Sequence, residues 1–200
     1  MKGVVFIDGE NFLSRIREVF RKKNISDFNI TTYDFAALLD DVFDTSQSTY
    51  PRRFYRAKPE RHRDILEYSE KIIQKYRTLG GYLHRLKFDV IRAGTLRADY
   101  REGVKTEYPR FREKGVDVRL AVDMVTMACD GLIDEALLVA SDSDYQPAVA
   151  ELRKRGVRVV YVGFEINPNH GLIAKTDDRY IIANKLVLKH APNTLFRDAA

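Results

Sequence analysis

Residues 4–11 read VVFIDGEN, an apolar run that stops at an acidic turn. A short, continuous apolar run bounded by Asp-Gly is typical of a buried strand. Apolar residues spaced three to four apart from Phe12 to Phe20 then predict a helix over 11–23. The stretch therefore predicts a strand that passes through a polar turn into a helix, which is the repeating unit of α/β folds.

The same alternation of strand and helix continues to residue 162. Further strands are predicted at 53–57, 82–92, 135–140 and 157–162, and further helices at 31–43, 59–78, 116–129 and 145–155. Gly80-Gly81 is expected to end one helix, residues 94–115 to form a long polar loop, and the chain beyond Asp178 to be less regular. The alternation predicts a central parallel sheet with helices on both faces.

Two further acidic blocks resemble the first in their setting. KGVD occupies 114–117 at the start of a predicted helix, and LVASDSDY occupies 138–145 at the end of a predicted strand. The carboxyl ends of parallel strands form the ligand crevice of an open sheet, so we expect Asp8, Asp117 and Asp142 to converge there. Crowded carboxylates repel one another unless a cation neutralises them, and ligation by oxygen alone suits Mg²⁺ or Mn²⁺. The blocks therefore predict a divalent-metal site.

Each acidic block also has a purely structural explanation. Asp-Gly after a strand is a common turn, and Ser-Asp-Ser-Asp is a typical start of a helix. Against this, Asp117 and Asp123 interrupt a mostly apolar helix, where an unpaired buried carboxylate is costly. Six residues at about 100° each place these two side chains about 120° apart. Asp117 is therefore predicted to face the site, and Asp123 to support it from behind or to pair with a buried base.

Composition describes an ordinary globular chain of 200 residues, 44% hydrophobic and 32% charged. This length suits one α/β domain with a modest insertion. Cys129 is the single cysteine, which excludes an internal disulfide and a multi-cysteine zinc site. The apolar runs are too short to span a bilayer, and the first residues lack a signal peptide's apolar length. We expect a cytoplasmic protein without a membrane partner.

Positive charge is concentrated between Tyr50 and Lys87. That segment contains eleven Lys and Arg residues and four Asp and Glu residues, so its local charge is +7 in a chain whose net charge is +5. Six aromatic residues are interleaved with them, a mixture suited to phosphate contacts and base stacking on nucleic acid. A solvated helix face with aromatic residues turned to the core explains the segment equally well.

Three blocks together, IDGEN at 7–11, KGVDV at 114–118 and SDSDY at 141–145, resemble the signature blocks of NYN domains, the PIN-like ribonucleases, in their LabA-like bacterial branch. The resemblance implies a Rossmann-like PIN fold with sheet order 3-2-1-4-5. It also implies an Mg²⁺- or Mn²⁺-dependent nuclease that acts on RNA. We expect residues 1–164 to form the nuclease domain, with the basic segment 50–87 inside it, and residues 165–200 to form an extension packed on it or trailing from it.

The resemblance also assigns roles to particular residues. It makes Asp8, Asp117 and Asp142 the metal ligands, Asp144 a further ligand or water-positioning carboxylate, and Asn11 their polar partner. Predicted substrate contacts are Lys114, Arg52, Arg53, Arg56, Lys58 and Arg61, and predicted supporting residues are Asp123, Ser141 and Ser143. The chain departs from the family where Ala140-Ser141 replaces the usual Ser-Gly and Tyr145 replaces the usual Phe.

Three functions are compatible with this sequence. The leading hypothesis is a metal-dependent endoribonuclease that hydrolyses RNA phosphodiester bonds. The alternative is a non-catalytic RNA-binding or regulatory protein that keeps the acidic pocket, and a metal-dependent phosphatase is a third. The chain has no Gly-Lys-Ser/Thr phosphate loop, nucleophile elbow or dinucleotide fingerprint, which disfavours nucleotide-cofactor chemistry. Residue spacing leaves the oligomeric state open, with a homodimer as one alternative.

Overall fold

The apolar run near the N-terminus forms strand β1, Gly3–Asp8, in which all six residues are buried. The computed structural model describes residues 2–25, 29–99 and 109–192. Burial along the whole of β1 is the pattern of an inner strand of a parallel sheet, covered by helices on both faces. β1 pairs in parallel with a strand on each side.

The sheet has seven strands in the order β4-β3-β2-β1-β5-β6-β7. The other strands are β2 (Arg52–Lys58), β3 (Phe88–Asp99), β4 (Arg110–Lys114), β5 (Glu135–Val139), β6 (Arg158–Phe164) and β7 (Asp178–Ile182). All neighbouring pairs are parallel except β3 and β4, which are antiparallel. Strands β2 to β4 lie on one side of β1, and strands β5 to β7 lie on the other. The carboxyl ends of β1 and β5 are therefore at the switch point where open sheets bind ligands.

The predicted fold class, a mostly parallel sheet with helices on both faces, is confirmed, but the predicted order 3-2-1-4-5 is wrong for the sheet as a whole. Its five strands correspond to the inner set β3-β2-β1-β5-β6. The edge strands β4 and β7 were predicted as a polar loop and an irregular tail. Both are largely exposed edge strands, which lack the apolar run that marks an inner strand. Residues 100–108 of the predicted loop lie outside the described residues.

Seven helices cover the two faces of the sheet within the described residues. They are α1 (Gly9–Lys22), α2 (Phe35–Asp40), α3 (Leu66–Arg85), α4 (Val116–Cys129), α5 (Gln146–Lys154), α6 (His170–Lys175) and α7 (Asn184–Lys189). Alternate residues of β1 belong to different cores. Val5 and Ile7 pack with α1, α2 and α7, whereas Val4 and Phe6 pack with α4, α5 and α6. The period of two along a strand thus divides the interior into two layers.

The C-terminal segment adds to the same sheet. β7 pairs with β6 along its whole length, and Val187 of α7 is buried in the core that contains α1. The boundary between residues 164 and 165 remains a prediction. No helix in the described part of the chain has the length and apolar character that crossing a bilayer requires.

Helix α3 continues through Gly80-Gly81, so the predicted helix end there is wrong. Residues 82–85, predicted to begin a strand, are the last turn of this helix. Leu79 and Leu83 are buried on its inner face, and burying two leucines contributes more than the roughly 1 kcal/mol that each helical glycine costs. Tertiary packing therefore decides the length of α3.

This continuation predicts that Gly80→Ala stabilises the protein. A Cβ at Gly80 would meet no atom within 4 Å, and the substitution removes a helix-interior glycine. We expect a gain of about 0.5–1 kcal/mol in the free energy of unfolding, measured by urea denaturation.

Gly94→Ala is the contrasting variant. Gly94 has φ +63°, and a Cβ there would lie 1.9 Å from the carbonyl oxygen of Lys114, so this variant should be clearly destabilised. Equal effects of the two substitutions would contradict the assignment of Gly80 to the interior of a helix.

Candidate functional site

Five carboxylates line one cleft at the carboxyl edge of the sheet. The cleft has a volume of about 720 Å³, and its acidic side chains are Asp8, Glu10, Glu113, Asp117 and Asp142. They come from the end of β1, the start of α1, β4, the start of α4 and the loop after β5. The structure therefore brings together Asp8, Asp117 and Asp142 from three distant parts of the chain. We call this space the acidic cleft.

Asp8 is the most deeply held of these carboxylates, with 6% of its surface exposed. It caps α1, and its Oδ1 accepts a hydrogen bond from the backbone N–H of Asn11 at 3.1 Å. Its Oδ2 accepts hydrogen bonds from the Asn11 side chain at 2.6 Å and from the Tyr145 hydroxyl at 2.8 Å. Burial raises the pKa of Asp8 despite these donors, and repulsion from Asp142 adds to the rise. The Tyr145 hydroxyl thus helps to fix the Asp8 carboxylate.

The Asp-Gly turn is set by close packing beside β2. A Cβ at Gly9 would lie 2.5 Å from the backbone oxygen of Tyr55 and 2.4 Å from the ring of Phe54. Position 9 therefore requires glycine if α1 is to begin directly at the end of β1. This places Asp8, Glu10 and Asn11 at the mouth of the acidic cleft.

Asn11 and Ser141 connect the first and third acidic blocks. The Ser141 hydroxyl donates to the Asn11 side-chain oxygen, while the Asn11 amide donates to Asp8. Arg15 reaches the Ser141 hydroxyl at 3.4 Å, and the Ser141 carbonyl accepts from Asn169 at 3.0 Å. The predicted supporting role of Ser141 thus has a structural basis, since its hydroxyl orients the partner of Asp8.

The third block presents its two aspartates differently. Asp142 is partly buried, lines the acidic cleft and accepts a hydrogen bond from the backbone N–H of Asp144 at 3.0 Å. Asp144 and Ser143 are exposed in the short 3₁₀ turn that follows, and neither lines the acidic cleft. Their predicted roles therefore rest on sequence resemblance alone, whereas that of Asp142 has the support of its position.

Glu10 and Glu113 are cleft residues that the sequence prediction missed. Glu113 lies in the region predicted as a loop, and its Oε1 accepts from the Ala57 backbone N–H at 3.0 Å and the Tyr76 hydroxyl at 3.1 Å. Burial, with repulsion from Glu10 and Asp8, raises the pKa of Glu113 to about 7. Desolvation also raises the pKa of Glu10, opposed by Arg17 and reinforced by Asp8. The Arg-Phe-Arg-Glu-Lys alternation of β4 could have signalled an edge strand.

The predicted basic residues divide into two groups. Lys114 alone of the six lines the acidic cleft. Arg56 is buried beside it, over the ring of Tyr76, with 4.0 Å from the guanidinium carbon to the ring centre. The other four lie away from the cleft. Arg52 pairs with Asp40, Arg53 with Asp89 and Asp123, Arg61 with Glu70, and Lys58 is exposed at the end of β2.

Asp123 lies outside the acidic cleft, on α4. It accepts from the Tyr55 hydroxyl at 2.9 Å and from Arg119 at 2.7 Å, and Arg53 lies 3.6 Å away. Asp123 therefore balances the charge of Arg53, which is a partly exposed base and not the buried one that we expected. The 120° separation of Asp117 and Asp123 around α4 explains why only Asp117 lines the cleft.

The donor set of the acidic cleft suits a hard divalent cation. All five acidic side chains offer oxygen, and the burial of Asp8 leaves its negative charge poorly solvated. Within residues 2–25, 29–99 and 109–192, no three His, Cys, Asp or Glu side chains are placed to hold one ion together. The arrangement therefore fits Mg²⁺ or Mn²⁺ bound by one or two carboxylates, waters and a substrate phosphate, rather than a closed protein cage.

The raised pKa of Glu113 predicts a pH-dependent stability difference between the wild type and Glu113→Gln. Between its unfolded pKa near 4.5 and its folded pKa of about 7, the folded state binds more protons at this site, so wild-type stability falls as pH rises. Glutamine keeps an oxygen acceptor and does not titrate. We expect Glu113→Gln to be more stable than wild type at pH 8 by about 1–3 kcal/mol, and nearly equal at pH 4.

Urea denaturation at the two pH values checks this expectation. Glu60→Gln, at an exposed position, is the matched control and should differ little from wild type at either pH. A stability difference for Glu113→Gln that does not change with pH would contradict the assignment.

The sheet, with a cleft of carboxylates at its switch point, defines an α/β protein of the Rossmann-like class. The family model of the NYN domain matches residues 2–184, and the chain belongs to this family. That family is part of the PIN-like nuclease superfamily. The LabA-like branch remains a prediction.

One solved structure supports the fold. The chain is similar, at a TM-score of 0.56 and 20% sequence identity, to a crystal structure described as a protein of unknown function from Vibrio parahaemolyticus RIMD 2210633. The similarity covers 90% of this chain and 91% of the other. No curated protein matches this sequence significantly. The structural comparison therefore establishes the architecture.

Proposed function

We propose that this protein is an endoribonuclease that uses Mg²⁺ or Mn²⁺, held in the acidic cleft, to hydrolyse RNA phosphodiester bonds. The observation that carries the proposal is the convergence of Asp8, Asp117 and Asp142 on one cleft at the sheet's switch point. Membership of the NYN family supports a nuclease role, and the basic cleft residue Lys114 supports a polyanionic substrate.

The protein's own residues would bind and orient the reacting groups. Asp8 would be the principal ligand, because Asn11 and Tyr145 hold its carboxylate in one orientation. Asp117 or Asp142 would join it directly or through a water. When bound, the divalent ion lowers the pKa of a coordinated water and stabilises negative charge on the phosphoryl oxygens. Lys114 would contact a substrate phosphate.

Glu113 would limit charge repulsion in the acidic cleft before substrate arrives. With a pKa of about 7, Glu113 is protonated in about half of the molecules at neutral pH. Its Oε1 already accepts two hydrogen bonds, so the proton would reside on Oε2. A protonated Glu113 beside Glu10 and Asp8 leaves fewer negative charges to be balanced by one cation. The substrate phosphate adds negative charge, which the same cation and Lys114 would balance.

Asp8→Asn tests this proposal. We expect the variant to lose cleavage of a labelled single-stranded RNA in Mn²⁺ by more than about 100-fold, because the main metal ligand is lost. RNA affinity measured in EDTA should stay within about threefold of wild type, because without the cation Asp8 makes no favourable contact with a polyanion. Asp130→Asn, at an exposed position beyond the far end of α4, is the control and should cleave as wild type does.

A chelator series completes the test. Wild-type cleavage should stop in excess EDTA and return when Mn²⁺ is added back. Tight RNA binding with no chelator-sensitive product would instead favour the alternative, a non-catalytic RNA-binding regulator. Full activity of Asp8→Asn would contradict the proposed role of the acidic cleft.

A further inference from the structure

A second cavity adjoins the acidic cleft on the side of α1 and α3. It has a volume of about 530 Å³, within the range of small-molecule sites. The two spaces are neighbours, because the same residues border both: Glu10, Arg17, Ile72, Tyr76 and Glu113. We call this second space the side pocket.

Arg56 is the unusual residue of the side pocket. It is 6% exposed, yet no carboxylate lies within 4 Å of its guanidinium among the described residues. Its Nη1 donates to the Tyr76 carbonyl at 3.1 Å, and its ring contact with Tyr76 covers one face. Burial lowers the pKa of Arg56. Buried arginines are normally paired directly with an anion. Arg56 has only the longer-range attraction of Glu113 and Glu10, so its guanidinium lacks a direct anionic partner.

The remaining donors of Arg56 are free to bind a ligand. Neither Nε nor Nη2 makes a hydrogen bond to a described residue, and neither belongs to the fully buried polar atoms that lack a partner. Both groups therefore contact accessible space, and Arg56 lines the side pocket. Two donors on a planar guanidinium match the oxygens of a phosphate.

The other walls of the side pocket complete a nucleotide-sized site. Exposed Arg17 and Lys75 add two positive charges at its rim, from α1 and α3. Leu13, Ile72 and Leu79 supply an apolar surface. A group with an anionic end and a flat apolar body fits this combination, which describes a nucleotide.

We propose that the side pocket binds one nucleotide unit, with its phosphate on Arg56 and its base against the apolar wall. This inference rests on the proposed function for its substrate class, single-stranded RNA. A strand lying across Glu10 and Glu113 would place one nucleotide in the side pocket and the neighbouring phosphate in the acidic cleft. The side pocket would then set the position of the strand relative to the bond that is cut.

Binding measured without metal tests this proposal separately from catalysis. A labelled oligoribonucleotide of about five residues and uridine 5′-monophosphate serve as probes, in EDTA. We expect Arg56→Lys to weaken oligonucleotide binding by about 10-fold or more, because lysine cannot replace the two-donor geometry. Arg17→Ala and Lys75→Ala should each weaken it and lower the salt slope of log K by about 0.7.

Matched controls lie on the same helices. Arg21→Ala on α1 and Arg77→Ala on α3 remove exposed charges that do not line the side pocket, and both should leave affinity and salt slope nearly unchanged. Arg17 and Lys75 are exposed, so their variants keep the test valid if Arg56→Lys fails to fold. The proposal would be overturned if Arg17→Ala and Lys75→Ala both bind the oligonucleotide as tightly as wild type. It would also be overturned if Arg21→Ala and Arg77→Ala lose as much affinity as they do.

The outcomes separate this inference from the nuclease proposal. Binding that depends on Arg17 and Lys75 in a protein that cuts no RNA would support the side pocket and reject the nuclease function. Metal-dependent cleavage of RNA, together with binding that does not change when Arg17 or Lys75 is substituted, would support the nuclease function and reject the side pocket. If uridine 5′-monophosphate also loses affinity when Arg17 or Lys75 is substituted, a free nucleotide is a sufficient ligand. If only the oligonucleotide loses affinity, the ligand is an RNA strand.

Discussion

Electrostatic repulsion among carboxylates at the carboxyl edge of the sheet is the constraint on which the proposed chemistry of this protein depends. Asp8 is buried, its pKa is raised, and Asp142 adds to that rise. A cluster of this kind lowers stability unless hydrogen bonds or a cation compensate for it. Here Asn11 and Tyr145 supply part of the compensation through their bonds to Asp8, and a cation would supply the rest.

The fold gathers these carboxylates at the edge of the sheet where a ligand can bind. β1 is the central strand, with β2 on one side and β5 on the other. The close approach of Gly9 to β2 fixes the start of α1, and the antiparallel strand β4 brings Glu113 and Lys114 to the same opening. Residues that are more than 100 positions apart therefore share one cleft, with rigid elements holding each of them.

Much of this arrangement could be predicted from the sequence, for identifiable reasons. β1, β5 and α4 carry strong apolar patterns that fix their type and nearly their bounds, so Asp8, Asp117 and Asp142 could be placed at element ends. The patterns failed where tertiary contacts decide the structure. Buried leucines extend α3 across Gly80-Gly81, and the partly exposed edge strands β4 and β7 are formed by pairing with a neighbour. Glu113 was missed because its strand was missed, and Arg52 was misplaced because charge alone does not reveal an ion pair with Asp40.

The most direct measurement is a crystal structure of the protein with Mn²⁺, using the anomalous signal of the metal. Our account predicts a peak in the acidic cleft, within about 2.0–2.4 Å of a carboxylate oxygen of Asp8 and with Asp117 or Asp142 joining directly or through water. Well-ordered crystals soaked in Mn²⁺ with no peak in the cleft, or with Asp117 and Asp142 turned away from Asp8, would contradict it.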